Sequence, residues 1–321
     1  YGPDRLFRNN GDGTFTDVSR AAGIANSAGK GLGVAFGDID QDGYTDIYVA
    51  NDSVRSFLYR NKGDGTFADI TYGSGAGNFD EAGKPQAGMG TEIADYDGDG
   101  RPDIFVTNFS EELNTLYRNL GDLTFEDITR KAGIGSSFLP LGFGARFFDF
   151  DNDGDLDLYV TNGHVIDNVA LYHPHLAYKQ RDLLYENLGG GRFRDVSASS
   201  GPAFRIEHVG RGAAVADYDN DGDLDIAVSN CGGPAMLYRN DGGNANHWIA
   251  IHARGRAFGA RVRLTAGGRT QLKEITPVSS YLSASDTRLY FGLGRETRAA
   301  RIEILWPNGR KQVMENIAGG R

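Results

Sequence analysis

The sequence predicts an all-β protein: a β-propeller built from four-stranded antiparallel blades, followed by a small β-sandwich-like domain. Three observations carry this. Two motifs recur together four times, each period reads as four short strands, and no amphipathic helical stretch of useful length interrupts them. The first motif is Asp-x-Asp-x-Asp-Gly-x-x-Asp. It spans Asp38 to Asp46, Asp95 to Asp103, Asp149 to Asp157 and Asp217 to Asp225, with starts 57, 54 and 68 residues apart. The second is Leu-aromatic-Arg-Asn-x-Gly-x-x-x-Phe-x-Asp followed by Val or Ile. It starts at Leu6, Leu58 and Leu116, and at Leu184 in the form LYENLGGGRFRDV; a fifth copy at Leu237 breaks off after LYRN.

One period shows how the strands arise. Gly33 to Gly37 leads into the Asp loop, and Ile47 to Ala50 leaves it with β-branched and aromatic residues. Phe57 to Arg60 and Thr66 to Ile70 flank Asn61-Lys62-Gly63-Asp64-Gly65, whose Asn and glycines suit a tight hairpin with positive φ. From about Asn246 both motifs disappear. Alternating segments at His247 to Ile251, Ala260 to Leu264 and Ala300 to Trp306, separated by Gly-rich turns, still read as strands. The expected division is therefore 1–243 for the blades and 244–321 for the second β-domain. Leu6 to Val18 supplies only the third and fourth strands of a blade. An open arc of three complete and two partial blades is expected, with earlier blades upstream of Tyr1. The rival is ring closure, in which Leu6 to Val18 pairs with strands between Gly212 and Asn240.

Composition limits the function classes. There are 33 Lys and Arg against 43 Asp and Glu, a net charge of −10 and a pI near 5.1, which opposes binding to nucleic acid or an anionic membrane. Sixteen of the 43 acidic residues occupy positions one, three, five and nine of the four Asp loops. Four bound Ca²⁺ would bring the charge to about −2. Cys231 is a lone cysteine and forms no intramolecular disulfide; in Asn-Cys-Gly-Gly it reads as a small residue at a strand end. No run of about 18 apolar residues marks a membrane span.

The Asp loops are the candidate metal sites, with four Ca²⁺ expected. Calcium takes six to eight oxygen ligands, and alternating carboxylates around a glycine turn converge on one point. The side-chain ligands would be Asp38, Asp40, Asp42 and Asp46; Asp95, Asp97, Asp99 and Asp103; Asp149, Asp151, Asp153 and Asp157; and Asp217, Asp219, Asp221 and Asp225. The backbone carbonyls at position seven, those of Tyr44, Arg101, Asp155 and Asp223, would add one ligand each. An EF-hand does not fit: its twelfth position requires Glu, and here it is Val49, Val106, Val160 and Val228. Zinc would call for His and Cys, which the loops lack.

These loops, with Ala35-Phe36-Gly37-Asp38 and Gly142-Phe143-Gly144-Ala145 before them, resemble FG-GAP/VCBS repeats, the calcium-binding blades also found in integrin α-chains. The tail resembles the ASPIC/UnbV domain through Asn246-His247-Trp248, Phe258-Gly259-Ala260-Arg261-Val262, Ser280-Tyr281-Leu282-Ser283-Ala284-Ser285, Phe291-Gly292-Leu293-Gly294 and Trp306-Pro307-Asn308-Gly309. Together they are similar to the cartilage acidic protein family, and Asn162-Gly163-His164 through Tyr178-x-Gln180 looks like that family's long blade insertion. The resemblance implies a secreted or surface-exposed protein, with the periplasm as an alternative location, and does not imply an enzyme.

The expected function is a calcium-stabilised binding, adhesion or assembly module whose partner is a protein or carbohydrate at the cell surface, or a second copy of itself. The alternative is a polysaccharide- or lipid-active hydrolase or lyase. Such an enzyme would need a single non-repeated cluster, and the place to find it is His164 to Arg181, which holds His173-Pro174-His175. Arg60, Arg118 and Arg239 recur in successive blades, which argues for a scaffold role, because a catalytic group is needed once.

Overall fold

The computed structural model describes every residue except Tyr1, Pro277 and Arg321, so the expectation about chain upstream of Tyr1 lies outside the described residues. The first sheet is a hairpin, β1 (Phe7–Asn9) with β2 (Phe15–Asp17). Three four-stranded antiparallel sheets follow. They are β3 (Gly31–Gly37), β4 (Asp46–Asn51), β5 (Phe57–Asn61) and β6 (Phe67–Asp69); β7 (Thr91–Ala94), β8 (Asp103–Val106), β9 (Thr115–Gly121) and β10 (Thr124–Asp127); and β11 (Gly142–Phe148), β12 (Asp157–Asn162), β13 (Leu183–Asn187) and β14 (Phe193–Asp195). A three-stranded sheet, β15 (Gly210–Ala216), β16 (Asp225–Asn230) and β17 (Met236–Tyr238), closes the repeat region. Within each sheet the strands lie in sequence order, as the blades of a propeller require. The β1–β2 hairpin is a sheet of its own and does not join β15 to β17, so the structure favours the open arrangement over closure through that seam.

The second motif explains how the outer hairpin is held. The Asp in Phe-x-Asp accepts hydrogen bonds from the residue two positions on, at Ser19, Thr71, Thr129 and Ser197. That residue's hydroxyl then accepts from the backbone N–H of the motif's leading leucine, Leu6, Leu58, Leu116 or Leu184, at 2.8–2.9 Å. A local turn thus fixes the register of the third and fourth strands. The motif's Asn works between blades. Asn119, Asn187 and Asn240 each donate from Nδ2 to the position-two carbonyl of the preceding Asp loop, on Ile39, Tyr96 and Phe150 respectively.

Successive innermost strands β3, β7, β11 and β15 pack side by side. A Cβ on Gly33 would lie 2.2 Å from the Met89 carbonyl oxygen, and one on Gly90 2.0 Å from that of Phe143, so glycine permits the approach. Side chains between blades complete the core: Tyr96 stacks on Phe147 and Phe193 at 5.9 and 5.6 Å. Such aromatic pairs contribute on the order of 1 kcal/mol each beyond the area they bury.

The second domain contains β18 (His247–Ile251) paired with β21 (Leu289–Gly294), and a sheet of order β20 (Arg269–Glu274), β19 (Arg261–Ala266), β22 (Arg298–Leu305) and β23 (Lys311–Ala318). It has its own apolar core, around Val262, Leu264, Phe291, Ile302 and Ile304. It is also seated on the blades. Ser280 pairs with Thr91 through two backbone hydrogen bonds of 2.7 and 3.2 Å, and its Oγ accepts from the Ala145 N–H at 3.0 Å. Ser285 Oγ accepts from Val215 N–H, and Asp286 N–H donates to the Val215 carbonyl. The segment from Ser280 to Asp286 thereby pairs with backbone groups on the innermost strands β7, β11 and β15, which would otherwise form an unprotected edge.

Candidate metal centres in the blade loops

Each Asp loop is a run of backbone turns knit by its own carboxylates. The position-one Asp accepts the N–H of the position-six glycine: Asp38 from Gly43, Asp95 from Gly100, Asp149 from Gly154 and Asp217 from Gly222, at 2.9–3.2 Å. Position five accepts the position-seven N–H, that of Tyr44, Arg101, Asp155 or Asp223. The position-six glycines have φ between +86° and +103°, which only glycine adopts without strain. Position four is also left-handed, at Gln41, Gly98, Asn152 and Asn220, a requirement not read from the sequence. Two of these residues link loops: Gln41 donates to the Gly100 carbonyl and Asn152 to that of Gly222.

Three carboxylates of every loop bring an oxygen within 4.8 Å of one another: Asp38, Asp40 and Asp42; Asp95, Asp97 and Asp99; Asp149, Asp151 and Asp157; and Asp217, Asp219 and Asp225. Position nine therefore joins the group in the third and fourth loops, and position five in the first and second. In all four loops position nine is buried, and both its oxygens accept backbone hydrogen bonds, Asp46 from Asn61 and Ile39 and Asp103 from Asn119 and Tyr96. Asp157 and Asp225 repeat the pattern. Asp153 and Asp221 serve as loop acceptors and stand outside the grouped oxygens.

Oxygens are left over. One carboxylate oxygen of Asp38, of Asp95 and of Asp149 is buried with no hydrogen-bond partner. Such an atom costs about 1–3 kcal/mol if nothing answers it. Burial lifts the Asp46 carboxyl to about 7; burial and then the neighbouring Asp99 and Asp97 charges lift Asp95 to about 7. Burial likewise raises Asp149 and Asp157, opposed at Asp149 by the Lys273 ammonium. The donors are oxygens throughout, and their charge is only partly screened by nearby cationic side chains. That combination fits a hard divalent cation and not zinc.

The recurrent arginines lie at these loops. Arg60 meets Asp40 and Asp42 at 2.6 and 2.9 Å, and Arg118 meets Asp97 and Asp99 at 2.7 and 3.2 Å. Glu186 holds this position in the third blade, while Arg239 pairs with Asp241. The second domain adds contacts that the sequence does not advertise: Arg261 meets Asp38 at 2.6 Å, the Tyr290 hydroxyl donates to Asp217 at 3.1 Å, and Arg269 pairs with Asp155. A further buried network joins the third and fourth blades, with His208 Nε2 2.9 Å from Asp182 and its Nδ1 2.6 Å from Asn230 Oδ1. Burial opposes charge on His208, but the Asp182 carboxylate outweighs it and raises the imidazole's pKa.

The FG-GAP-like repeat family matches residues 1–49, 38–106, 95–160 and 175–228, and the ASPIC and UnbV family matches residues 252–321. Cartilage acidic protein 1 of Homo sapiens is 30% identical over 315 residues, which cover 95% of this chain and 44% of that protein. The Mus musculus protein of the same name is 30% identical over 313 residues, 94% of this chain and 45% of that one. The chain thus spans less than half the length of these relatives. An Agrocybe aegerita lectin solved for its recognition of non-reducing terminal N-acetylglucosamine overlays with a TM-score of 0.43 at 18% identity, covering 98% of this chain and 89% of the lectin. The V. cholerae biofilm matrix protein Bap1 overlays at 0.36 and 13% identity, covering 98% of this chain and 59% of Bap1. By its repeats and its C-terminal region, the chain belongs to the FG-GAP-like repeat family and carries an ASPIC and UnbV domain, as a homologue of cartilage acidic protein 1.

Proposed function

We propose that this protein is a calcium-stabilised, extracytoplasmic propeller acting as a binding, adhesion or assembly module, with no catalytic role. The observation that carries the reading is the buried, unpartnered oxygen on Asp38, Asp95 and Asp149, each beside two further carboxylates of its loop. A Ca²⁺ ion would be held by the position-one, -three, -five and -nine aspartates with the position-seven carbonyl, and would supply the missing charge. Extracellular calcium modules bind with Kd of about 10⁻⁴ to 10⁻³ M, so such sites stay filled outside cells and act as structure rather than as switches. The non-repeated Asp182–His208 network supports the non-enzymatic reading, because both imidazole nitrogens are occupied and the carboxylate is fully buried. The partner in this reading is a cell-surface protein or carbohydrate, or another copy of the chain.

Metal analysis of the purified protein should return four Ca²⁺ per chain, and a glycan and protein binding screen should give hits that calcium chelation abolishes. Fewer than one Ca²⁺ per chain after dialysis against millimolar calcium would overturn the metal assignment. Turnover of a polysaccharide or lipid ester, lost on mutation of residues between His164 and Arg181, would overturn the non-enzymatic one.

A further inference from the structure

The insertion between β12 and β13 is pinned at both ends. His164 N–H donates to the Tyr178 carbonyl, and Gln180 exchanges backbone hydrogen bonds with His208. Between these points the chain brings His173 and His175 to the loop that joins β8 to β9 in the preceding blade, where Glu111 sits. His175 Nε2 is 2.9 Å from Glu111 Oε1, and one ligand atom from each of Glu111, His173 and His175 lies within 4.8 Å of the others. We propose that these three side chains form a binding site for a divalent first-row transition metal ion such as Zn²⁺, separate from the four Asp loops.

The donor set decides the metal. Two imidazoles and one carboxylate suit Zn²⁺ and its neighbours, whereas the all-oxygen loops suit Ca²⁺, so one chain carries two sites of opposite preference. The backbone under each ligand is fixed. Val169 and Leu176 are buried, the His173 N–H donates to the Val169 carbonyl at 2.8 Å, and the Leu176 N–H donates to the His173 carbonyl at 2.9 Å. Pro174 restricts the link between the two histidines, whose rings stand 6.1 Å apart and nearly perpendicular. Glu111 has φ of +67°, a conformation uncommon outside glycine, and its N–H is tied to the Phe138 carbonyl at 2.7 Å. His164 is not a ligand. Its Nδ1 accepts the Ile166 N–H, which puts the ring proton on Nε2 and leaves no lone pair there for a metal. With three protein ligands, all exposed, the ion keeps water in its remaining positions. Its effect would be to tie the second blade's loop to the third blade's insertion.

The test is a Co²⁺ titration of the full chain in saturating Ca²⁺, which blocks the Asp loops, read by visible absorption and followed by Zn²⁺ displacement. One Co²⁺ per chain should bind in the micromolar range and be displaced by Zn²⁺. His173→Ala and His175→Ala should each weaken binding at least roughly tenfold, and Glu111→Gln less, while His252→Ala leaves it unchanged. Melting curves in calcium without transition metal should match the parent for all variants, which separates loss of ligand from loss of fold. Zn²⁺ should also slow proteolysis between residues 164 and 181. Undiminished Co²⁺ binding by a His173→Ala/His175→Ala double variant, or no binding below about 1 mM, overturns the proposal.

Discussion

The second and third Asp loops share a motif but answer its charge in different ways. In the second, Arg118 from the same blade reaches over Asp97 and Asp99. In the third, the equivalent residue is Glu186, which turns to Arg194, and cationic groups come from the C-terminal domain: Arg269 pairs with Asp155, and Lys273 lies near Asp149. Burial draws the Lys273 ammonium down to about 8 against the attraction of Asp149, and its Nζ donates to the Tyr290 carbonyl. One residue in the outer hairpin thus separates a blade that screens its own loop from a blade that relies on a distant domain.

Calcium removal sharpens this contrast most. If each site is filled at 100-fold its Kd, binding stabilises the fold by about 2.7 kcal/mol per site. Chelation at pH 7.5 should therefore lower Tm by on the order of 10 °C. In the metal-free protein Asp46, Asp95 and Asp149 have carboxyls near 7, against about 3.9 unfolded. The folded state then binds more protons than the unfolded state between these values, so metal-free stability falls as pH rises from about 4 to 7. Bound calcium would hold the same groups ionised and so remove this fall between about pH 4 and 7. Melting temperatures with and without chelator should lie closer together at pH 5 than at pH 7.5; a gap that does not change with pH would refute the metal assignment.

The next largest effect should come from Lys273→Met in metal-free protein. It removes the cation near buried Asp149 and leaves the buried Tyr290 carbonyl without its Nζ donor, which should cost about 1–3 kcal/mol. Arg118→Met, at a pair whose arginine is 40% exposed, should cost no more than about 1 kcal/mol. Urea unfolding of both variants measures the difference, and equal losses would break the comparison. Smaller still, Glu186→Arg should weaken calcium at the third loop roughly fivefold, and Arg118→Glu should tighten it at the second by a similar factor. Isothermal titration resolves both. Ser280→Ala leaves the buried Ala145 N–H without its acceptor and should cost about 1–3 kcal/mol whether or not calcium is present. A calcium-dependent loss would show that docking and metal binding are linked at that residue.

The blades were legible in the sequence because their contacts are local and repeated. Asp loop, strand and hairpin all lie within one period, and the strands observed at 46–51 and 57–61 extend those read from the sequence by a residue or two. The contacts between domains were not legible. Asp38 N–H bonds to Glu274 across 236 residues, and no spacing rule connects them. Ser280 and Ser285 were visible as part of a motif, but a serine that accepts a hydrogen bond from a strand edge has no periodicity to betray it. Glu111 and His175 meet across 64 residues on loops that differ from the repeat, so neither pointed to the other.

The strap from Ser280 to Asp286 sets the order in which this chain can finish folding. Each blade is assembled from residues close in sequence and can form while the ribosome is still at work. The backbone of Thr91 must wait for Ser280, 189 residues later, and at 5–20 residues per second that is a delay of roughly 10–40 s. During that interval the inner edges of β7, β11 and β15 lack the partners that later cover them, and an unpaired edge can recruit a strand from another chain. Nascent chains arrested before residue 246 should therefore aggregate or occupy chaperones, and release beyond residue 290 should relieve it.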